Sequence, residues 1–199
     1  MANEVREPKQ KRSIEKKNKI INAGYELFSE VGYYGTNTAE IAKRAGVSTG
    51  IVYGYFNDKR DILICVLEIY LDKVLSPIFS LINSISTPID YQKLITDILE
   101  TTIKIHKKNA KIHEALHSLT STDEVVSKKF IKFEDVVTTK IVEKLTSVNE
   151  TITNPNEKVH LAMNVLQSFA HEFVFDKHEY IDYNFLKNIV IKTIVSLFI

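Results

Sequence analysis

The stretch "NTAEIAKRAGVSTGIVYGYF", residues 37–56, decides the fold. It opens with a capping box, in which Asn37 accepts a hydrogen bond from the third helical residue while Glu40 reaches back to the cap. The helix that follows is short, because Gly46 favours the left-handed backbone that ends a helix. The hydroxyl residues that come after this glycine are suited to cap a second helix. The stretch therefore predicts two short helices joined by a tight turn.

Small and β-branched residues indicate how these two helices pack. Ala42 allows the backbones to approach closely, Gly46 supplies the turn, and Val52 lies on the inner face of the second helix. Helices of this length are not stable alone in water, so the preceding helix and the stem of the following one must cover them. This spacing is typical of a helix-turn-helix unit.

Three aromatic residues, Tyr53, Tyr55 and Phe56, crowd the end of the stretch. Phe56 has no polar tip and is the expected core ring. Tyr53 and Tyr55 point in nearly opposite directions on a helix, so they cannot both face inward. A phenol on an outer face donates to a phosphate, and its ring can lie on a sugar or a thymine methyl group. The pattern predicts that one ring packs in the core and two face DNA.

Composition excludes several classes of protein. The chain has 199 residues, of which 44% are hydrophobic and 26% charged, as in ordinary globular proteins. A single cysteine, Cys65, excludes an intrachain disulfide framework and suits a reducing compartment. The first residues contain no apolar signal segment, and no apolar run reaches the ~18 residues that span a bilayer. We therefore expect a cytoplasmic protein.

Charge is unevenly distributed along the chain. Residues 1–60 carry 11 basic and 7 acidic side chains, whereas residues 61–199 carry 15 basic and 18 acidic ones. A basic first third on a mildly acidic remainder suggests that the first part meets a polyanion.

Hydrophobic periodicity predicts an all-α protein of about nine helices. The first helix is expected to begin near Ser13 and to end at Gly32, and the fourth to run from Asp58 to Ser76, before Pro77. Further helical patterns cover roughly residues 88–107, 109–119, 123–147, 156–176 and 182–198.

The segment "IINAGYELFSEVGYYGTNTAEIAKRAGVSTGIVYGYFNDKRDIL", which begins at residue 20, resembles the N-terminal domain of TetR-family transcriptional regulators. The resemblance covers about a quarter of the chain. It implies a three-helix helix-turn-helix DNA-binding domain over residues 1–57, with a basic N-terminal arm. It also implies a larger helical domain over residues 58–199 that binds a ligand and forms a dimer.

The resemblance also implies DNA-contacting positions in this chain. Phosphate contacts fall on Thr38, Tyr53, Tyr55 and Lys59. Base contacts fall on Ala39, Thr49, Gly50 and Gly54. Three of these base-contacting positions carry small residues where the family often has longer ones, so direct readout of bases by this helix is sparse.

Specificity must then come partly from elsewhere. We expect contributions from the arm residues Lys9, Lys11 and Arg12, from Arg44, and from the sequence-dependent shape of the DNA. The alternative for the arm is a solvated tail with no partner, because lysine-rich termini are commonly just that.

The last two helical segments predict a dimer interface. The final segment is apolar over most of its circumference, so it must be buried on more than one side. A two-fold four-helix interface, as the resemblance implies, satisfies this requirement. The alternative is a monomer whose last helix is wholly internal. The candidate interface residues are Leu166, Phe169, Phe173, Phe185, Ile189, Val190, Ile194 and Leu197.

A ligand pocket in the C-terminal part is a weaker prediction. His106, His113 and His117 share one face of a continuous helix, a spacing that suits either a pocket wall or a metal site. Three lysines and only one carboxylate lie nearby, so no metal is predicted. Aromatic residues at helical spacing are more often core than pocket. The candidate pocket residues are Tyr70, His106, His113, His117, Phe130, Phe133, Phe169 and Phe173.

These patterns predict a ligand-responsive transcriptional regulator and no enzyme. No set of nucleophile, base and acid and no glycine-rich phosphate loop occurs in the sequence. We expect a repressor that binds a palindromic operator as a homodimer and is released by an unidentified small molecule, without a cofactor and without a membrane. The alternative is a helical adaptor that binds proteins and no DNA.

Overall fold

The structure is a computed structural model, and it describes residues 11–148 and 151–199. These residues form nine α-helices and no strand, so the prediction of an all-α fold is confirmed. The helices are α1 (Lys11–Glu30), α2 (Thr38–Ala45), α3 (Thr49–Tyr53), α4 (Lys59–Asn83), α5 (Tyr91–Lys108), α6 (Ala110–Thr120), α7 (Glu124–Ser147), α8 (Pro155–Phe175) and α9 (Tyr183–Val195). Among the helices described, none combines the length and the apolar character needed to cross a lipid bilayer.

The chain divides into two compact units. Unit 1 contains the described residues up to Lys73 together with Asn109–Ser127, and unit 2 contains Val74–Lys108 and Lys128–Ile199. Helices α4 and α7 contribute residues to both units. The units do not follow the predicted domain boundary after residue 57, because α6 packs against α1. The division into a DNA-binding domain over residues 1–57 and a regulatory domain over residues 58–199 stays a prediction.

The core of unit 1 depends on a close approach between α1 and α4. A Cβ atom on Gly24 would lie only 2.7 Å from Cγ2 of Ile62, so a larger residue at position 24 would push the helices apart. Around this contact lies a set of fully or almost fully buried apolar residues, which come from all of the first four helices or follow α3 directly. They include Ile20, Phe28, Ile41, Val52, Phe56, Leu63 and Val66.

Several predicted helix boundaries differ from the structure, by up to three residues at the start of α5 and the end of α9 and by more at the end of α4. Helix α1 begins at Lys11 rather than near Ser13. Helix α4 continues through Pro77 to Asn83. Proline removes one backbone hydrogen bond from a helix interior, at a cost of about 3 kcal/mol. The turns on either side of Pro77 bury Val74 and Ile82, and this burial favours continuation of the helix.

Unit 2 is built around α5, α8 and α9, which pack against one another. Its larger core cluster contains the most buried faces of these three helices, with Leu99, Ile103, Leu166, Ala170, Ile191 and Ile194 among its members. A second cluster joins the end of α4 to α7 and α8 through Ile82, Ile85, Tyr91, Leu145 and Val159.

Asp123 anchors the start of α7 in unit 1. Its Oδ1 accepts hydrogen bonds from the amides of Val125 and Val126 at 3.0 and 3.2 Å. The same carboxylate receives Nε and Nη2 of Arg60 at 2.5 and 2.9 Å, and its side chain is 7% exposed. The Arg60 guanidinium lowers the pKa of Asp123 below its ordinary value of 3.8, against the opposing effect of burial. One carboxylate thus caps α7 and ties it to α4.

Replacing Asp123 by Asn should lower the free energy of unfolding by about 1 kcal/mol at neutral pH, because the cap survives but the charge that pairs with Arg60 is lost. A carboxyl group with a lowered pKa stabilises the fold above about pH 4, and this stabilisation disappears as the pH falls through its folded-state pKa. The difference between the two proteins should therefore shrink below that pH. Urea unfolding from pH 7 to pH 2.5 measures it.

The matched control is Asp90→Asn. Asp90 accepts a hydrogen bond from the amide of Lys93 at the start of α5, and no arginine bonds to it within the described residues. Its substitution should change stability less at neutral pH. A pH-independent difference between wild type and the Asp123→Asn variant would contradict the assignment.

Candidate nucleic-acid interface and ligand cavity

The turn between α2 and α3 is set by local backbone chemistry. Oδ1 of Asn37 accepts from the amide of Glu40 at 3.0 Å, and Oε2 of Glu40 accepts from the amide of Asn37 at the same distance. At the other end of α2, Gly46 has φ 69°, and the amide of Val47 donates to the carbonyl of Ala42 at 3.0 Å. The predicted capping box and left-handed turn are both confirmed.

The three rings after the turn have different environments. Phe56 is 2% exposed and lies in the core, as predicted. Tyr53 is 52% exposed, and Tyr55 is half-buried. The tyrosines therefore lie outside the core, where at least the Tyr53 ring is open to an external partner.

Each tyrosine hydroxyl meets a hydroxyl from another helix. Oη of Tyr53 lies 3.1 Å from Oγ1 of Thr38, at the start of α2. Oη of Tyr55 lies 2.8 Å from Oγ of Ser13, in the first turn of α1. The first pair is exposed and offers two adjacent hydroxyl groups to one phosphate. The second pair ties the beginning of α1, and with it Lys11 and Arg12, to the chain segment that follows α3.

The positions implied for base contacts are accessible. Ala39, Gly50 and Gly54 are exposed, and Thr49 is half-buried. The side chain of Ser48, the N-cap of α3, makes no capping hydrogen bond within the described residues. A Cβ on Gly50 would meet nothing closer than Ser48 Oγ at 4.0 Å, so packing does not require a glycine there. None of the described residues therefore closes off the first turn of α3.

Lys59 does not present a free ammonium group. Its Nζ donates to the carbonyls of Tyr33 and Thr36, both at 2.7 Å, and lies 4.2 Å from the Tyr33 ring centre. Burial lowers the pKa of Lys59. Two of the three ammonium donors are therefore used to hold the turn between α1 and α2, and this side chain acts first on the protein itself.

Arg44 is also engaged within unit 1. Its Nη1 contacts Glu26 at 3.2 Å and Glu30 at 3.0 Å, and its Nη2 contacts Glu30 at 2.9 Å. These carboxylates raise the pKa of Arg44, and the arginine lowers that of Glu30. Lys11 and Arg12 are exposed in the first turn of α1, whereas Lys9 lies outside the described residues.

Unit 2 contains an apolar cavity that is partly open to solvent. Val74, Ile78 and Ile82 of α4 form one part of its wall. Its other lining residues are Leu75, Ile85, Tyr91, Leu94, Ile95, Ile98, Thr102, Phe133, Val137, Ile141, Leu145, Val159, Ala162, Met163, Leu166, Gln167 and Phe198. A concave site with a mainly apolar wall and a few polar groups is typical of sites for small organic ligands.

Comparison with known proteins identifies the N-terminal part of the chain. Residues 20–66 match the family model described as "Bacterial regulatory proteins, tetR family". Residues 20–66 are thus similar to the N-terminal domain of TetR-family transcriptional regulators. The matched segment contains the capping box, the Gly46 turn and all three rings, which are the features that build the interface described above.

Similar proteins agree with the match over this segment. The HTH-type transcriptional regulator HbdR of Aromatoleum sp. (strain CIB) is 43% identical over 76 residues, which are 38% of this chain and 33% of HbdR. The chain thus spans about a third of that relative's length. A transcriptional regulator from Rhodococcus sp. Rha1 has the same fold, with a TM-score of 0.67 at 17% identity over 91% of this chain and 95% of that one. RolR, solved in complex with resorcinol, matches with a TM-score of 0.63 at 14% identity, covering 94% and 89%.

The predicted pocket residues do not come together around the cavity. Only Phe133 among them lines it. Tyr70 and His113 are buried in unit 1, where Oη of Tyr70 lies 2.7 Å from Nδ1 of His113 and burial raises the pKa of Tyr70. His117, in the same unit, is exposed. The break between α5 and α6 after Lys108 interrupts the continuous helix on which the three histidines were placed together.

The remaining pocket candidates lie in unit 2. His106 is buried, with Nδ1 2.9 Å from the carbonyl of Thr102. Phe130 packs edge-on against Phe133, and Phe169 is buried in the core beside Phe173. No group of three or more His, Cys, Asp or Glu side chains in the described part of the chain is placed to hold a metal ion.

The pocket residues predicted from the sequence were aromatic rings and histidines, whereas the cavity wall is mainly aliphatic. Most of the wall was therefore not predicted. Val74, Ile78 and Ile82 of α4 and Ile95 and Ile98 of α5 are examples. The available signal was the apolar character of α4 over much of its circumference, which indicates burial on more than one side.

The candidate dimer residues fall into two groups. Phe185 and Ile189 of α9 are 65% and 45% exposed. Phe173 and Leu197 are partly buried against the core of unit 2. The other four are at most 9% exposed and belong to that core, so little of their surface is left for a partner. They are Leu166, Phe169, Val190 and Ile194.

Replacing Lys59 by Met should destabilise the protein by about 1–2 kcal/mol, because two carbonyl groups of the α1–α2 turn lose their donor. Hydrogen exchange at the amides of residues 33–38 should accelerate. The matched control is Lys43→Met, since Lys43 is an exposed lysine of α2. Unchanged stability and unchanged exchange in the Lys59 variant would show that the ammonium does not hold the turn.

Proposed function

We propose that this protein is a repressor that binds a palindromic DNA operator as a homodimer and releases it when a small molecule occupies the unit 2 cavity. It acts in the cytoplasm, where a bacterial operator lies. The observation that carries the proposal is the exposed surface around α3, supported by the match of residues 20–66 to the TetR family model. The same proposal makes the protein a binding protein rather than an enzyme.

The DNA-binding part of the proposal rests on the two hydroxyl pairs and the first turn of α3. Thr38 and Tyr53 place adjacent hydroxyls on an exposed surface, as a phosphate contact requires. Thr49 and Gly50 begin α3, and the N-terminal residues of a recognition helix are the ones that reach base edges. Since Gly50 has no side chain, readout there depends on backbone approach and on the shape of the DNA.

Exposed basic side chains at the start of α1 add a non-specific attraction to DNA. The bond between Tyr55 and Ser13 fixes the first turn of α1, which carries Lys11 and Arg12. Phosphate neutralisation by such residues releases counterions, so binding should weaken steeply with salt. Arg44 joins this group only if DNA displaces its two glutamate partners, and we therefore assign it a structural role.

The homodimer rests on exposed apolar residues of α8 and α9. Leu161, Phe185 and Ile189 are each at least 45% exposed. A two-fold axis beside these helices would cover them in both copies. Dimerisation also supplies two recognition helices, which is what a palindromic operator requires.

Ligand release rests on the cavity and on α4. Helix α4 begins at Lys59, which holds the α1–α2 turn, and its later residues Val74 and Ile78 line the cavity. A ligand that prefers the state unable to bind DNA shifts the population toward that state. RolR has been solved with a small molecule, which supports this kind of ligand for a protein of the same fold.

Tyr53→Phe should weaken operator binding about tenfold, since it removes one hydroxyl from a charged phosphate contact. Fluorescence anisotropy on a duplex selected by the wild-type protein from random DNA measures the effect. The control is Tyr180→Phe, which removes an exposed phenol from unit 2. Equal affinity of the Tyr53 variant and wild type would refute the contact. No binding of wild type to any duplex at low salt would favour the adaptor alternative.

Replacing both Phe185 and Ile189 by Glu should convert the protein to a monomer of 22.8 kDa, measured by light scattering after size exclusion. Operator affinity should fall about 100-fold, because the two half-sites are then bound independently. The control is Ile131→Glu with Val136→Glu, a pair of exposed apolar residues on α7. A dimeric Phe185/Ile189 variant would place the interface elsewhere.

A further inference from the structure

The wall of the unit 2 cavity contains no residue that carries a charge. Among the described residues that line it, none is Asp, Glu, Lys, Arg or His. Most are aliphatic, with Tyr91, Phe133 and Phe198 as the rings. The cavity therefore offers a ligand a large apolar contact and no counter-ion.

This wall discriminates strongly between ligands by charge. Moving an ionised carboxylate or ammonium group from water into apolar surroundings is very unfavourable unless an opposite charge pairs with it. Apolar surface gains free energy on burial, in proportion to its area. A ligand that enters the cavity completely must then be neutral and must consist mainly of hydrocarbon.

Three polar side chains set the hydrogen-bonding capacity of the wall, and one of them is the phenol of Tyr91. Thr102 already donates its hydroxyl hydrogen to the carbonyl of Ile98 at 2.8 Å, so its oxygen is left to act as an acceptor. Gln167 has a carboxamide, which both donates and accepts. These groups match a ligand hydroxyl, and Gln167 also matches a carbonyl group.

We propose that the cavity binds an uncharged, predominantly aliphatic molecule with one or two hydrogen-bonding groups, such as a long-chain alcohol or ketone, and excludes the corresponding acids and amines. This assignment deepens the proposed function, because it names the class of the effector, but it concerns binding and holds whether or not binding releases DNA.

The test compares three probes that share one chain length: 1-decanol, decanoate and decylamine. Isothermal titration of the full-length protein near neutral pH measures the three dissociation constants. Decanol should bind about 30-fold more tightly than either ion, because neither charge finds a partner in the wall. Thermal stabilisation of the protein by the same probes provides a second readout.

A variant that adds one charge to the wall makes the test sharper. Gln167→Lys places an ammonium group at the cavity, so decanoate should gain about tenfold in affinity while decylamine weakens further. The control is Asn164→Lys, one turn earlier on α8, because Asn164 is exposed and does not line the cavity. It adds the same net charge and should leave the order of the three probes unchanged.

The possible outcomes separate this inference from the proposed function. Decanoate or decylamine binding as tightly as decanol to wild type, or no binding of decanol, would overturn the inference. An equal response of the Gln167 and Asn164 variants would also overturn it, because the preference would then not come from the cavity. If decanol binds as expected but leaves the selected DNA duplex bound, the inference stands and the proposed release mechanism fails.

Discussion

The left-handed backbone at Gly46 is the constraint on which the proposed DNA-binding surface depends. With φ 69°, this residue ends α2, and no neighbouring atom would obstruct a side chain there, so the requirement is one of conformation and not of space. The turn directs α3 so that Val52 is buried while Tyr53 is exposed. If α2 continued past residue 46 as one helix, Thr38 and Tyr53 would lie about four turns apart along its axis. Their exposed hydroxyl pair would then not form.

Polar contacts inside unit 1 hold the edges of that surface in place. Lys59 binds two carbonyl groups of the α1–α2 turn, and Tyr55 binds Ser13 in the first turn of α1. Arg44 is paired with glutamates of α1. A side chain that the sequence suggests as a phosphate contact can therefore instead hold the backbone that carries the other proposed contacts, as Lys59 does.

The features that sequence predicted best are those whose causes are local. The capping box at Asn37 and the turn at Gly46 follow from neighbours within a few residues, and the burial of Phe56 was predicted from its wholly apolar ring. The partners of Lys59 and Arg44 come from other helices, so their pairing could not be read from spacing. The same reason explains α4, where burial of residues around Pro77 outweighs the local preference of proline, and the cavity, whose aliphatic wall is assembled from several helices.

An apolar cavity limits how a ligand can control DNA binding. A ligand shifts an equilibrium only by the difference between its affinities for the two states, and a 100-fold preference corresponds to about 2.7 kcal/mol. Hydrophobic contact has no direction, so an aliphatic ligand distinguishes the states only if the shape of the cavity differs between them. Part of the wall belongs to α4, the helix that also carries Lys59. On the proposed mechanism, the discrimination therefore resides in how well α4 packs against the ligand, and a smaller neutral molecule that leaves α4 uncontacted would bind without releasing DNA.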